Sequence, residues 1–387
     1  MSMLYLDNAA TTPVRPEVLE AMMPYLTQWF GNPSSHHTVG EAAADALADA
    51  RARVARVLGM RPGDIVFTSG GTEANNLAVK GIAVAAAASG RRHVVTTPIE
   101  HESILESADY LERIHGFEVT RVPVDGVGRV DPDAVADALR PGDEDAGTAL
   151  VSVGYANNEV GTVQDIAAIA AVARAHGVAM HVDGVQAAGW LPLSAADLGI
   201  DAISLAGHKV GAPKGTGVLG VRGRIPVEPL LHGGGQERGR RSGTEDVAGA
   251  VGLATALELA EADRAEASAR VTAIRDRFVA RVLATVPSAE LTGDPVHRLP
   301  GTASFTFAGT SGEAVLLELE RRGVVSSSGS ACAAGSDEPS HVLIAMGIAP
   351  GIAQTAVRFT FPHWLRQPLD AVADAVAASV AAVGSGG

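Results

Sequence analysis

The chemistry of this 387-residue chain is best sought in its scarce residue types. It has one cysteine, Cys332, and three lysines, Lys80, Lys209 and Lys214; the remaining basic residues are arginines. Lys80 lies in the helical pattern NNLAVKGIAVAA and reads as a solvated helix lysine. Lys214 follows a proline in the loop GAPKGTG. Lys209 closes the apolar run AISLAGHK, at a strand end where open α/β sheets place their ligands. A partly desolvated pocket there favours amine over ammonium, as Schiff-base chemistry requires. On position alone, a structural lysine stays equally open.

A Schiff base to pyridoxal phosphate (PLP) needs companions. The ring nitrogen needs a carboxylate to stay protonated and draw electrons, and Asp183 ends the run VAMHVD. The phosphate needs backbone N–H groups at a helix start together with hydroxyls. The run DIVFTS leads into Ser69-Gly70-Gly71-Thr72-Glu73 and then a helical pattern. A flat partner for the ring is at hand in His101, just past RHVVTTP. Gln186, three residues beyond Asp183, is a polar neighbour for the ring hydroxyl. Each feature alone is common; together they fall at successive strand ends.

The elements that must position them alternate. DIVFTS (64–69), RHVVTTP (92–98), ALVSVGYA (149–156), VAMHVD (178–183), DAISLAG (201–207) and GVLGVR (217–222) read as strands, mostly continuously apolar and so covered on both faces. Helical stretches at 72–88, 102–115 and 165–176 separate them. The pattern predicts a mainly parallel sheet with helices on both sides. After about residue 257 a long charged helix leads to shorter strands at 301–309 and 356–361, the mark of a smaller α+β domain. The expected division is 15–257 for the large domain, and 1–14 with 258–387 for the small one. PGDEDAGT (141–148) reads as a surface connection.

Composition excludes several classes. Apolar residues make up 47% and charged residues 19%, ample for a buried core. A formal charge of -14 disfavours direct nucleic-acid binding. No apolar run reaches the ~18 residues of a membrane span, and the start lacks a secretory pattern. With one cysteine no intrachain disulfide forms, which fits a reducing, cytoplasmic setting. No metal site is expected.

A series of segments then resembles one family: YLDNAATTPV (5–14), GNPSSHHTVG (31–40), FTSGGTEANNLAVKG (67–81), EHESIL (100–105), ANNEVGTVQDI (156–166), HVDGVQAAG (181–189), AGHKVGAPKG (206–215), HGGGQERGRRSGT (232–244) and SSGSACAAGSDEPSHVL (327–343). In this order, and over nearly the whole chain, they resemble the cysteine desulfurases, PLP-dependent enzymes of the class V aminotransferase group. The resemblance implies PLP fold type I, with a mainly parallel seven-stranded sheet. It implies conversion of L-cysteine to L-alanine, with the sulfur held as a persulfide on Cys332 and passed to an acceptor protein for iron–sulfur cluster assembly, thio-cofactor synthesis or tRNA thiolation. Position by position, Lys209 is the Schiff-base lysine, Asp183 the partner of the ring nitrogen, and His101 the stacking and proton-transfer residue. Gln186 bonds the ring hydroxyl, and Gly71, Thr72 and His208 hold the phosphate. Thr244 reaches the phosphate of the other subunit of a homodimer. Asn158 and Arg358 bind the substrate carboxylate, a bidentate role suited to a guanidinium.

Three places depart from the family pattern. Ala206 stands where a serine often adds a phosphate hydroxyl, Gly184 follows Asp183 in place of alanine, and Thr360-Phe361-Pro362 replaces Ser-Leu-Gly after Arg358. Cys332 read alone is a small buried hydrophobe. Its Ser/Gly/Ala surroundings (326–336) lack apolar periodicity and read instead as a mobile, exposed loop. Its spacing to Glu338-Pro339-Ser340 resembles the long-loop group of the family. Selenocysteine lysis, another class V PLP reaction such as transamination, and a non-catalytic sulfur carrier are the alternative readings.

Overall fold

The structure, a computed structural model, describes residues 3–141, 146–329 and 338–384. Its strands, in chain order, are β1 (Leu4–Tyr5), β2 (Ile65–Thr68), β3 (His93–Thr96), β4 (Glu118–Arg121), β5 (Thr148–Gly154), β6 (Ala179–Asp183), β7 (Ala202–Ala206), β8 (Gly217–Val221), β9 (Ala289–Leu291), β10 (Thr302–Phe307), β11 (Val324–Val325) and β12 (Val357–Thr360). Seven form the central sheet in the order β2-β8-β7-β6-β5-β3-β4. All neighbours are parallel except at β8, which runs antiparallel to both β2 and β7. The fold is therefore the α/β architecture expected, with the mainly parallel seven-stranded sheet in place.

The six apolar runs all became sheet strands. The seventh, β4, has the sequence EVTR and lies half in solvent at the sheet edge, so no apolar run marks it. In the interior, β3, β5, β7 and β8 are buried almost throughout, because helices cover both faces. One polar ladder crosses this core. His181 bonds Ser152 Oγ and Ser204 Oγ, both at 2.9 Å, tying β6 to its two neighbours. Burial pushes its pKa down to about 3, so the ring is neutral and acts as a cross-strand brace.

The insertion of β8 brings β2 to the site. Both β2 and β7 run antiparallel to β8, so they point the same way and end beside the same glycine: Gly217 pairs with Thr68 on one side and Ala206 on the other. A Cβ at Gly217 would meet the Gly70 backbone at 2.5 Å, so only glycine lets the turn after β2 pack here.

A 39-residue helix, Val247–Thr285, is capped at its start by Asp246, which accepts from Gly249 N. It runs unbroken through residue 257. Its first part, to Ala260, packs in the core of the large sheet; Val271, Phe278 and Val282 pack instead in a second core with Leu6, Phe305, Phe359 and Phe361. There Phe278 meets the edges of Phe305, Phe359 and Phe361 at 5.3–6.0 Å. The small sheet has the order β12-β10-β9, and β1 pairs with β11. One helix thus serves two cores, and Leu6 of the N-terminal segment packs in the second of them. Of the expected surface connection, 142–145 lie outside the described residues.

Candidate active site

The carboxyl ends of β5, β6 and β7 lie side by side, with Gly154 opposite Asp183 and Asp183 opposite Ser204. A cavity of about 480 Å³ opens there, within the range of small-molecule sites. It gathers Gly71, Thr72, His101, Asn158, Asp183, Gln186, His208, Lys209 and Arg358 from six sequence segments. All expected site residues among those described line it except Thr244. Thr244 lines a separate cavity with Ser69, Arg241 and Glu245. Residues 330–337, including Cys332, lie outside the described residues.

Each side chain has a specific support. Asp183 accepts from Asn75 Nδ2 at 2.7 Å and from Val185 N at 2.9 Å, which fixes both carboxylate oxygens. His101 caps the helix Glu102–His115, and its Nδ1 accepts from Ser103 N at 3.1 Å. The ring proton is thereby left to Nε2. Burial, followed by the charges of Lys209 and Lys214, lowers His208 to about 4, so it is neutral near pH 7. Its Nδ1 lies 3.1 Å from Thr11 Oγ1. Lys209 Nζ donates to the carbonyls of Ala9 and Ala10, the latter at 2.9 Å, and Gln186 Nε2 shares the Ala9 oxygen at 3.2 Å. The AATT segment of the N-terminus thus forms the floor under the lysine.

Arg358 is 1% exposed, the largest fully buried side chain. Its guanidinium donates to Asn158 O at 2.8 Å, Gly329 O at 3.2 Å and Asp7 Oδ1 at 2.7 Å, while Nε has no protein partner among the described residues. Asn158 meets Arg358 through its backbone carbonyl. Asp7 is the anionic partner in this set and was not marked by the sequence reading; it lies 351 residues away in the chain.

Both flanks of residues 330–337 reach the cavity wall. Ser327 pairs with Arg358 through two backbone hydrogen bonds. Ser340 caps the helix His341–Ala345 and bonds Glu159, and His341 Nε2 lies 3.0 Å from Glu100 O.

The cavity residues fit PLP. At the cradle, a Cβ on Gly71 would lie 3.0 Å from Val185 Cγ2 and 3.2 Å from Ala206 Cβ, so glycine there keeps the turn close to the sheet. The buried Asn75 leaves Oδ1 without a protein partner among the described residues, beside the Asp183 carboxylate. Ala206 offers no hydroxyl, as its sequence position implied, and is itself packed into the cavity wall.

Glu100 was overlooked beside His101. It is buried and lines the cavity, accepting from Thr97 Oγ1 at 2.7 Å and Gly154 N at 2.8 Å. Burial, reinforced by Asp183 and opposed by those two hydrogen bonds, raises it from 4.5 to about 8. The folded state therefore holds this proton more tightly than the unfolded chain. The group's contribution to stability is full below pH 4.5 and is lost as pH rises to about 8. Glu100→Gln removes that titration. Between these limits the wild type should lose roughly 1 kcal/mol per pH unit relative to the variant. Urea midpoints of both proteins at pH 5 and pH 8 check this; a constant gap would show that Glu100 does not titrate there.

Comparison with known proteins agrees with this geometry. The family model for class V aminotransferases matches residues 4–366. The chain belongs to the class V aminotransferase family, a PLP-dependent group. It is 47% identical over 364 residues to an IscS-like cysteine desulfurase of Mycobacterium tuberculosis, covering 93% of this chain and 92% of that protein. It is 43% identical over 357 residues to the cysteine desulfurase IscS of Dictyoglomus turgidum, covering 92% and 89%. A solved NifS-like protein superposes with a TM-score of 0.87 at 34% identity, covering 99% of this chain and 98% of that one. Within the family, its branch is that of the cysteine desulfurases.

Proposed function

We propose that Lys209, Asp183, Arg358 and Cys332 carry cysteine desulfuration in this chain, with PLP as cofactor and Cys332 as sulfur carrier. The observation that carries this reading is the convergence of Lys209, Asp183, His101 and Arg358 on one cavity at the strand ends. When bound, PLP supplies an aldehyde that condenses with amines and a cationic ring that draws electron density from the substrate α-carbon.

Asp183 holds the proton at the ring nitrogen, its own oxygens steadied by Asn75 and Val185. Gly71, Thr72 and His208 hold the phosphate, and Gln186 the ring hydroxyl. His101 would lie against the ring, with its proton on Nε2 because Nδ1 accepts from Ser103 N. Lys209 Nζ moves the α-proton. Arg358 grips the substrate carboxylate beside Asn158. Cys332 Sγ, as thiolate, attacks the substrate sulfur. The substrate C–S bond breaks and an S–S bond to Cys332 forms. The carbon ends with a C–H bond in alanine, so it is reduced by two electrons while the two sulfurs are oxidised by one each. No external oxidant or reductant enters until the persulfide is discharged.

The persulfide passes to an acceptor protein, and the second subunit of a homodimer brings Thr244 to the phosphate. The position of Thr244 outside its own chain's catalytic cavity supports that arrangement. Among the described residues no helix is long and apolar enough to cross a membrane. The absence of paired cysteines in the sequence supports a cytoplasmic setting.

The test is production of alanine from L-cysteine by the purified, PLP-supplemented protein, with and without a thiol reductant. Absence of alanine under both conditions defeats the proposal. Arg358→Lys keeps the charge but loses the planar fork. KM for cysteine should rise roughly tenfold or more, with a smaller change in kcat. An unchanged KM would remove Arg358 from carboxylate binding.

A further inference from the structure

The segment 232–246, which carries Thr244, has an unusual backbone. Glu237 and Arg238 have φ of 49° and 58°, in the left-handed region where residues with a side chain are strained. Among the described residues the only other non-glycine residue in that region is Ala146. Gly235 and Gly239, on either side, have φ of 80° and carry no such cost. A glutamate kept where glycine would sit more easily points to a use for its carboxylate.

That carboxylate is buried against Arg51, which comes from the helix Thr38–Val57 and is buried too. Arg51 donates to both Glu237 oxygens, at 2.6 and 2.7 Å, and to Ile65 O at 2.8 Å. Phe67 N donates to Glu237 Oε2 at 3.1 Å, and the guanidinium lies 4.9 Å from the centroid of the Phe67 ring. Strand β2 has a neighbouring strand on one side only, so the ion pair closes two backbone groups on its open edge. Apolar side chains of similar volume would serve stability as well; a bidentate pair adds a fixed geometry. From Glu237 the hold passes to Thr244. Gln236 Oε1 accepts from Gly243 N at 2.9 Å, which joins the residue before Glu237 to the residue before Thr244. Arg241 Nε donates to Glu73 Oε1 at 2.9 Å, and Glu73 Oε2 accepts from Ser69 N at 2.8 Å in the turn after β2. Thr244 itself is exposed and lines no part of its own chain's catalytic cavity.

We propose that Glu237, seated on Arg51, is a positioning residue that acts across the dimer: it holds Thr244 where the cofactor phosphate of the other subunit takes its hydrogen bond. This rests on the reading that Thr244 serves the other subunit. The strain at residues 237 and 238 is what the ion pair sustains, and the position of Thr244 is what it secures. The phosphate turn of the same chain should be spared when the carboxylate is lost, because β2 keeps its pairing with β8 along all four residues. A defect at Glu237 is therefore expected to weaken cofactor binding in the partner subunit and not in its own.

The test is titration of the full-length dimer with PLP, read by the lysine-linked absorption band. Thr244→Val and Glu237→Gln should each weaken PLP binding roughly tenfold, the effect of one hydrogen bond to a charged group. In Glu237→Gln either orientation of the amide sets its NH2 group against an N–H of Arg51. Unchanged affinity in Thr244→Val defeats the reading of Thr244, and the inference with it. A loss in Thr244→Val without one in Glu237→Gln defeats the inference alone. Hybrid dimers then decide the direction of action. With Lys209→Ala in one subunit, only the other subunit's lysine reports binding. Glu237→Gln placed on the Lys209→Ala chain should weaken the reporting site; placed on the chain that retains Lys209, it should leave that site at wild-type affinity. Both hybrids hold the same two substitutions, so a general loss of stability affects them alike. Equal losses in the two, or the reverse order, overturn the proposal. If Glu237→Gln does not fold, because Arg51 is left as an unpaired buried charge, Arg51→Met with Glu237→Gln removes that charge as well. The same order of affinities is expected of it, and any other order overturns the proposal.

Discussion

Replacing Lys209 with alanine is expected to abolish turnover of cysteine, by roughly 10⁴-fold or more, and to remove the covalent cofactor absorption. Two functions vanish with one amine: the link to the cofactor and the carrier of the α-proton. No other lysine lines the cavity, so no other primary amine on a lysine is placed to substitute. Folding should suffer little. The Ala9 carbonyl keeps its hydrogen bond from Gln186, and the lost donor to Ala10 is worth on the order of 1 kcal/mol. The measurements are alanine release, the visible absorption spectrum after PLP addition, and Tm. A variant that folds, lacks the lysine-linked band and still turns over at the wild-type rate would falsify the assigned role. A variant that merely fails to fold is separated from this outcome by Lys209→Arg, which keeps a cation over the Ala9 and Ala10 carbonyls but cannot condense with an aldehyde.

The sequence made this residue legible because strand ends in parallel α/β sheets are where backbone and side chains converge on ligands. Lys209, Asp183 and the Gly70-Gly71 turn each follow a continuous apolar run, a local signal that survives without coordinates. Buried strands announce themselves this way, whereas β4 does not. Its EVTR sequence lies half exposed on an edge and carries no run of apolar residues. The long helix shows a different limit. Beyond Gly252 its sequence has neither glycine nor proline up to Thr285, so nothing stops the helix at residue 257; what changes there is the neighbour it packs against. Composition registered the change of partner as a change of element.

The partners of the site were harder to read than the site itself. Arg358 came from resemblance, while Asp7, which meets its guanidinium, sits in a quoted motif and gave no sign of its partner. No local rule links residues 351 positions apart; only the pairing of the N-terminal segment with β11 and β12 brings them together. Glu100 is a similar case. A glutamate before a histidine at a helix start reads as solvated, because the contact that holds it inward comes from Gly154, 54 residues away in the chain. Asn75 likewise lies on a helix whose register against Asp183 depends on β8 separating β2 from β7.

Cys332→Ala should divide the reaction where Lys209→Ala stops it altogether. Cofactor loading depends on the cavity residues, so the variant should bind PLP, show the same lysine-linked absorption and still accept cysteine. It should then stall, because nothing remains to take the substrate sulfur. Alanine release should fall by roughly 10²-fold or more, and label from ³⁵S-cysteine should no longer be retained on the protein. Arg358 and its neighbours anchor the chain on one side of the Cys332 segment, through Ser327 and Gly329, and Ser340 and His341 anchor it on the other. Neither anchor needs the thiol, so substrate binding should persist. This separates sulfur transfer from other class V chemistry on the same scaffold, for which a cysteine nucleophile is dispensable. Undiminished alanine formation by Cys332→Ala would mean that sulfur leaves without a protein acceptor thiol, and the persulfide would have to be abandoned while the cofactor assignment stood.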